Sequence, residues 1–351
     1  MIFIIYPRFI DAENIFNFYK QPFAEIENIV IAVNKLNIKT KPSFRFRIIG
    51  MPVSINFMNF IRFTFLSLLN ILGLIVDSTA AILSTYFNRN RVGTYRYALS
   101  KGKKMKLDLY LPKNTTGKVP LIIFAHGGGW VLGSRKQIEV GVLKQIKRGY
   151  AVASISYSLA TRAKFPQQIY ECKAAVRWLR ANAKRFNLDD KKFIFWGASA
   201  GGHLSNLLGT TSGTIELEGN LGDYLAVSSS VQSVVSWYAP TDLLQMGNEN
   251  FQAKSTDWTT SFYLGFFIHQ QPKQTKIGNP LNYIHEKTPP FFLTHGTKDT
   301  IVNPNQSELL YRALSKKGIP VIYEKTNFLH GDIRFNCAKQ LRMTESFLDN
   351  L

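Results

Sequence analysis

Ser199 stands in the pentapeptide Gly197-Ala198-Ser199-Ala200-Gly201. A serine hydroxyl becomes a useful nucleophile only when a neighbouring base takes its proton, and this G-x-S-x-G spacing forms a turn that holds the oxygen clear of a sheet. The turn is tight, so its neighbours must be small. Such a match arises often by chance. Here the apolar run Phe193-Ile194-Phe195-Trp196 precedes it and a helix-compatible stretch, His203 to Leu208, follows it, which is the strand–turn–helix context the motif requires. A second chemical signal lies upstream. His126-Gly127-Gly128-Gly129-Trp130 follows the strand-like Pro120-Leu121-Ile122-Ile123-Phe124-Ala125. Acyl transfer creates a tetrahedral oxyanion that needs preset N–H donors, and glycines let the main chain approach it closely. The expected oxyanion donors are the N–H groups of Gly128, Gly129 and Ala200, with Gly127 making the turn itself.

A serine of this kind needs a base and an acid, expected in the order Ser, acid, His along the chain. Of the six histidines, His330 follows the strand-like Val321-Ile322-Tyr323-Glu324 and sits in a loop near the C-terminus. It is the expected base. Asp299, in the loop after the strand Phe291-Phe292-Leu293-Thr294, is the expected acid that fixes its tautomer. Asp242 also falls between Ser199 and His330 and remains a rival acid. His295 reads as a structural strand-end residue, His203 as a hydrogen-bonded scaffold residue and His126 as a shaper of the glycine loop. Trp130 either lines a pocket or packs under the loop. On this reading His330 takes the proton of Ser199 as it attacks an ester carbonyl, Asp299 stabilises the imidazolium, and water then clears the acyl-enzyme. No cofactor is called for, and no Cys/His cluster indicates a metal site.

With these motifs in view, the chain resembles the α/β-hydrolase superfamily, in particular the carboxylesterases near the hormone-sensitive-lipase-like and feruloyl-esterase-like branches. The resemblance rests on HGGGWVLGS at 126–134, FPQQIYECKAAVRWLRANAKRFNLD at 165–189, GASAGGHLSNLLGT at 197–210 and PPFFLTHGTKDTIVNPNQSELLYRAL at 289–314. It implies the α/β-hydrolase fold and supports the roles of Ser199, Asp299, His330, Gly128, Gly129 and Ala200. It also implies that Glu171 and Arg177 brace a helix, and that the stretch 243–278 lies near the active site. The substrate is implied only loosely, as a small-molecule ester.

The elements that must position these residues alternate. Strands are expected at 105–111, 120–125, 150–156, 192–196, 231–238, 290–294 and 320–324. One helix follows Pro166, with Ile169, Cys172, Val176 and Leu179 on a single face, and another starts near Pro304. Strand–helix alternation predicts an α/β fold with a mostly parallel central sheet and helices on both faces. Residues 243–278 interrupt the alternation with Trp258, Phe262, Tyr263, Leu264, Phe266 and Phe267. They are read either as a small lid or acyl-pocket wall beside the site, or as an excursion whose aromatics pack on the sheet.

The length of 351 residues allows one large domain plus an extension. The catalytic domain is placed at 91–351, after an N-terminal extension at 1–57 and a membrane-directed segment at 58–90. Residues 63–76 carry no charge but are shorter than a spanning helix. Three readings stand: a signal peptide starting at Met58 and cleaved after Ala80, a signal anchor reaching Phe87 with a costly Asp77, or a buried helix. The first two predict an exported or membrane-associated protein, and the third a cytoplasmic one. Cys172 is expected in the core, and a disulfide with Cys337 has no support in the spacing.

Charge is uneven. Residues 91–192 carry 22 Lys and Arg against 5 Asp and Glu, whereas residues 193–351 carry 12 against 13. A basic face solvated by water and a basic face lying on anionic lipid both fit. Lys173, Arg177, Arg180 and Lys184 are expected on the polar side of the helix at 173–185. No recognition motif points to nucleic acid. The leading reading is therefore a serine carboxylesterase for short-chain or aromatic acyl esters. An amide hydrolase (arylformamidase-like or peptidase-like) using the same residues is the alternative, and a non-catalytic binding module a more distant one.

Overall fold

The structure, a computed structural model, describes residues 90–246 and 251–351, two strands near the N-terminus, and residues 79, 82, 85 and 88. The two strands, β1 (Ser43–Ile48) and β2 (Met51–Asn56), pair antiparallel as a separate sheet. The expected signal or anchor segment at 58–90 lies for the most part outside the described residues. Among those described, no helix is long and apolar enough to cross a membrane.

From residue 91 the chain builds one eight-stranded sheet. Its strands in chain order are β3 (Arg91–Ser100), β4 (Lys103–Tyr110), β5 (Val119–Ala125), β6 (Ala151–Ile155), β7 (Leu188–Ala198), β8 (Ser233–Trp237), β9 (Phe291–Gly296) and β10 (Val321–Thr326). In space they run β10-β9-β8-β7-β5-β6-β4-β3. The six strands from β10 to β6 are parallel, and β4 and β3 join antiparallel at one edge. The expected α/β architecture is thus observed. The central strands are mostly apolar where they pair side by side, as at residues 121–125 and 193–198, because both faces are covered there, as parallel sheets require. Leu121, Ile123, Phe193, Phe195 and Val234 face one core, and Ile122, Phe124, Ile194, Trp196 and Val235 face the other.

Among the described residues there are five longer helices: α1 (Gln167–Ala181), α2 (Ala200–Thr210), α4 (Asn305–Lys316) and α5 (Ala338–Asp349), and α3 (Phe251–Leu264) in the stretch 243–278. The sequence reading omits β3 and α5. In β3, exposed and buried positions mix polar and apolar types (Val92 and Leu99 are exposed), so no clean alternation marks it. The apolar face of α5 is thin, with Leu341, Phe347 and Leu348 buried.

One expectation about charge is corrected. Lys173 and Arg177 are not on a solvated face. Lys173 is fully buried and donates to the Thr211 carbonyl (2.7 Å) and to Glu218 (2.8 Å); Arg177 is buried and pairs with Glu218 at 3.0 Å. The helix also ends at Ala181, so Lys184 lies beyond it. Periodicity placed these side chains opposite the apolar stripe, but Glu218, on the helical turn Ile215–Glu218, covers that side. Glu171 does brace α1 as expected. It accepts from Ser100 Oγ, from the Ser158 amide (2.5 Å) and from Ser158 Oγ (2.7 Å). Cys172 is buried in the core, and both cysteines are free.

Candidate active site

The carboxyl ends of the parallel strands carry the site. β7 ends at Ala198, and Ser199 follows with φ +54°, ψ −120°, before α2 begins. A non-glycine residue at positive φ is strained and persists only where its surroundings hold it. Here the Ser199 amide donates to the Trp237 carbonyl of β8 (2.9 Å), and the Ser199 carbonyl accepts from the His203 amide (2.9 Å), closing the first turn of α2. The flanking glycines are dictated by space. A Cβ at Gly197 would overlap the carbonyl of Gly201, and one at Gly201 would overlap the carbonyl of Ala125.

His330 and Asp299 reach Ser199 from two other loops. The Ser199 hydroxyl lies 2.9 Å from His330 Nε2, and His330 Nδ1 lies 2.6 Å from Asp299 Oδ2. An ionised carboxylate only accepts, so Nδ1 carries the proton and Nε2 is left to accept from the serine. Burial pushes the Asp299 carboxyl up. The electrostatic attraction of His330 and the hydrogen bonds from His295 and His330 outweigh this and hold it well below the usual carboxylate range. Asp299 Oδ1 accepts from the amides of Ile301 (2.9 Å) and Val302 (2.8 Å). The base and acid expected from chain order are therefore brought together with Ser199.

The rival acid is elsewhere engaged. Asp242 accepts from the Leu244 amide (3.0 Å) and from Asn279 Nδ2 (3.0 Å), shaping its own turn. Asp332 binds Arg334 at 2.6 Å. His203 donates from Nε2 to the Gly278 carbonyl (2.8 Å), and His126 donates from Nδ1 to the Gly127 carbonyl (2.7 Å). Both are scaffold residues, as read from the sequence. Burial pushes both imidazoles down to about 4 against those hydrogen bonds, which keeps them neutral at ordinary pH. His295 is more than a strand-end residue: it reaches Asp299 Oδ2 at 3.1 Å. Only the tertiary fold reveals that contact.

The glycine loop turns at Gly128, Gly129 and Trp130, which have φ of +114°, +57° and +61°. Gly127 is not the turn residue that the sequence suggested. The Gly128 carbonyl accepts from Val131 (3.1 Å) and Leu132 (2.9 Å), which curls the chain so that the amides of Gly128 and Gly129 engage no carbonyl among the described residues. Ala200 opens α2, where the first N–H groups have no helical acceptor. All three border a cavity of about 420 Å³ that also touches Ser199, His330, Tyr238 and Met246. Trp130 lines this cavity and also packs, stacking on Tyr263 at 4.5 Å, so both of its readings hold.

The described part of 243–278 borders one side of the cavity. Met246 and Thr259 line it, while Leu243, Tyr263, Leu264 and Ile268 are buried against Trp130 and Ala200. The base of this insertion is tied down: the Phe165 amide donates to the Tyr263 carbonyl (3.0 Å), and Lys164 Nζ donates to the Phe262 carbonyl (2.7 Å). Among the described residues no His/Cys/Asp/Glu group could hold a metal ion.

Comparison with known proteins places this geometry in context. The BD-FAE family model matches residues 107–314. Esterase LipC of Mycobacterium tuberculosis is 28% identical over 233 residues, covering 66% of this chain and 57% of LipC. Among solved structures, a truncated carbohydrate esterase from gut microbiota is 27% identical, with a TM-score of 0.68, over 74% of this chain and 96% of its own. A bifunctional GH43-CE protein of Bacteroides eggerthii is 31% identical, with a TM-score of 0.66, over 73% of this chain and 35% of its own. The chain spans about half the length of the curated relatives it matches.

Proposed function

The chain belongs to the BD-FAE family, of α/β-hydrolase fold, and on that premise we propose that it is a serine carboxylesterase for short-chain or aromatic acyl esters. The observation that carries this is the unbroken hydrogen-bonded series from Ser199 Oγ through His330 to Asp299, ending at a cavity bordered by three amides suited to an oxyanion. His330 Nε2 takes the Ser199 proton as Oγ attacks the ester carbonyl. The tetrahedral oxyanion sits against the amides of Gly128, Gly129 and Ala200. Its collapse expels the alcohol, which receives the proton from Nε2. Water, deprotonated by the same nitrogen, then releases the acid from Ser199. Trp130, Tyr238 and Met246 give the cavity apolar walls that accommodate a short chain or an aromatic ring. LipC and the gut carbohydrate esterase, by their names esterases, support ester chemistry.

The partner proposed is a small-molecule ester, with no cofactor. Association with an anionic membrane surface is a lesser proposal, supported by the uncharged run at 63–76 and the basic balance of 91–192. The test is hydrolysis of p-nitrophenyl esters from acetate to palmitate by the full chain, beside Ser199→Ala. Short-chain turnover that disappears in the variant supports the proposal. Turnover of anilides but not esters by the folded protein replaces it with the amide-hydrolase reading. Inactivity on both overturns it.

A further inference from the structure

His295 lies at the end of β9, fully buried and outside the three-residue array. Its Nε2 sits 3.1 Å from Asp299 Oδ2 and 3.0 Å from the Val302 carbonyl. A carbonyl oxygen can only accept, so Nε2 carries a proton and shares it between the two oxygens. On the other side of the ring, Nδ1 lies 2.7 Å from the hydroxyl of Ser307, which is buried in the first turn of α4. The ring is thus fixed at both nitrogens. Asp299 Oδ2 has two imidazole donors, His330 and His295, while Oδ1 has two amide donors, from Ile301 and Val302. Every lone pair of the carboxylate is engaged.

We propose that His295, oriented by Ser307, is a positioning residue: its Nε2–H sets where Asp299 Oδ2 points and how strongly that oxygen holds His330. This inference rests on the proposed roles of Ser199, His330 and Asp299. Two donors on one oxygen divide its charge. Without the His295 proton, Oδ2 turns more of its charge to His330 and favours the imidazolium, which cannot accept the serine proton. His295 thus keeps His330 ready as a base at lower pH. It also holds Val302, whose side of the turn lines the cavity. The other ionisable groups around His330 are Tyr238, whose ring meets it edge-on at 4.9 Å, Glu139, which accepts from the Tyr238 hydroxyl (3.2 Å), Asp332, paired with Arg334, and Lys298 beside Asp299.

The test measures kcat/KM for p-nitrophenyl acetate against pH, in the full chain, for wild type, His295→Leu, His295→Gln and Ser307→Ala. The Leu variant is expected to lose roughly 10- to 100-fold in kcat/KM near neutrality, with the acid limb of its profile moved to higher pH. The Gln variant restores most of the rate and the wild-type limb, because its amide nitrogen falls where Nε2 was and donates to Oδ2. Ser307→Ala gives a smaller displacement in the same direction. A merely structural role would lower thermal stability and leave the limb in place. A folded Leu variant within twofold of wild type with an unmoved limb overturns the inference. Where the Leu variant does not fold, an unmoved limb in Ser307→Ala, or a Gln variant displaced as far as complete loss of the donor predicts, overturns it as well. Wild type that does not turn over the ester overturns instead the reading on which this rests, so the two failures are distinct.

Discussion

Two polar clusters in this molecule each gather nitrogen donors around one carboxylate, and they differ in what they face. One joins Ser199, His330, Asp299 and His295 at the carboxyl ends of β7, β9 and β10. The other joins Lys173 and Arg177 of α1 to Glu218, with Ser229 donating to the same carboxylate at 2.8 Å. Both contain charged groups with pKa values displaced by burial and by partners. Burial pushes the Lys173 ammonium down against the pull of Glu218, and it pushes Glu218 up while Lys173 outweighs it. The second cluster closes on itself and on backbone carbonyls, those of Thr211 and Leu221 among them. The first ends on a cavity, at a serine with a strained backbone. Displaced ionisation alone therefore does not single out a reactive site. What sets the first cluster apart is a strained serine that faces open space.

Breaking the first cluster should remove rate and spare stability. Ser199→Ala is expected to lower kcat/KM on a short ester by about 10⁴-fold or more, with an unchanged thermal midpoint. Parallel kinetics and calorimetry check both halves. Next comes the loop. Gly128→Ala places a Cβ against the Leu132 carbonyl at a φ of +114° and displaces the amides of Gly128 and Gly129. A loss of roughly 100- to 1000-fold is expected, falling on kcat more than KM. An effect on KM alone would remove these amides from the oxyanion role.

Breaking the second cluster should do the reverse. Glu218→Ala leaves Lys173 buried with only the Thr211 carbonyl, and unfolding in urea should show a loss of roughly 3 kcal/mol with kcat/KM unchanged. A large loss of rate at constant stability would erase the distinction between the clusters. The smallest effect sharpens it by pH. His126 and His203 titrate near 4 in the folded chain and near ~6.5 when unfolded. Between those values the unfolded chain binds protons that the folded one refuses, so stability is full above the unfolded value and falls as pH drops. From pH 7 to 5 the loss is roughly 2 kcal/mol per histidine. His203→Gln should flatten that slope in urea unfolding at the two pH values. An equal slope would mean that His203 does not stay neutral in the folded state.

These contrasts also mark what was readable from the chain. The serine turn was legible because its G-x-S-x-G spacing is a local pattern, and Gly197 is enforced locally by the Gly201 carbonyl, although Gly201 itself is enforced by the distant Ala125 carbonyl. His330 and Asp299 were legible because chain order and strand ends limited the choice. The site of the loop's turn was not. Positive φ falls at Gly128, Gly129 and Trp130, and a run of three glycines does not disclose which of them bend the chain. Nor was the burial of Lys173 legible, because periodicity assigns a face to solvent without knowing that Glu218 will cover it.

By itself the sequence determined the α/β alternation, the apolar central strands and the residue types that can perform acyl transfer. Those follow from local periodicity, local crowding and the order of elements. The tertiary structure decided that Asp299, and not Asp242, meets His330, that β3 and β4 close one edge of the sheet antiparallel, and that His295 shares the carboxylate. Each of these depends on residues distant in the chain meeting across the sheet. No local pattern encodes that proximity: the packing of both faces onto one set of strands creates it.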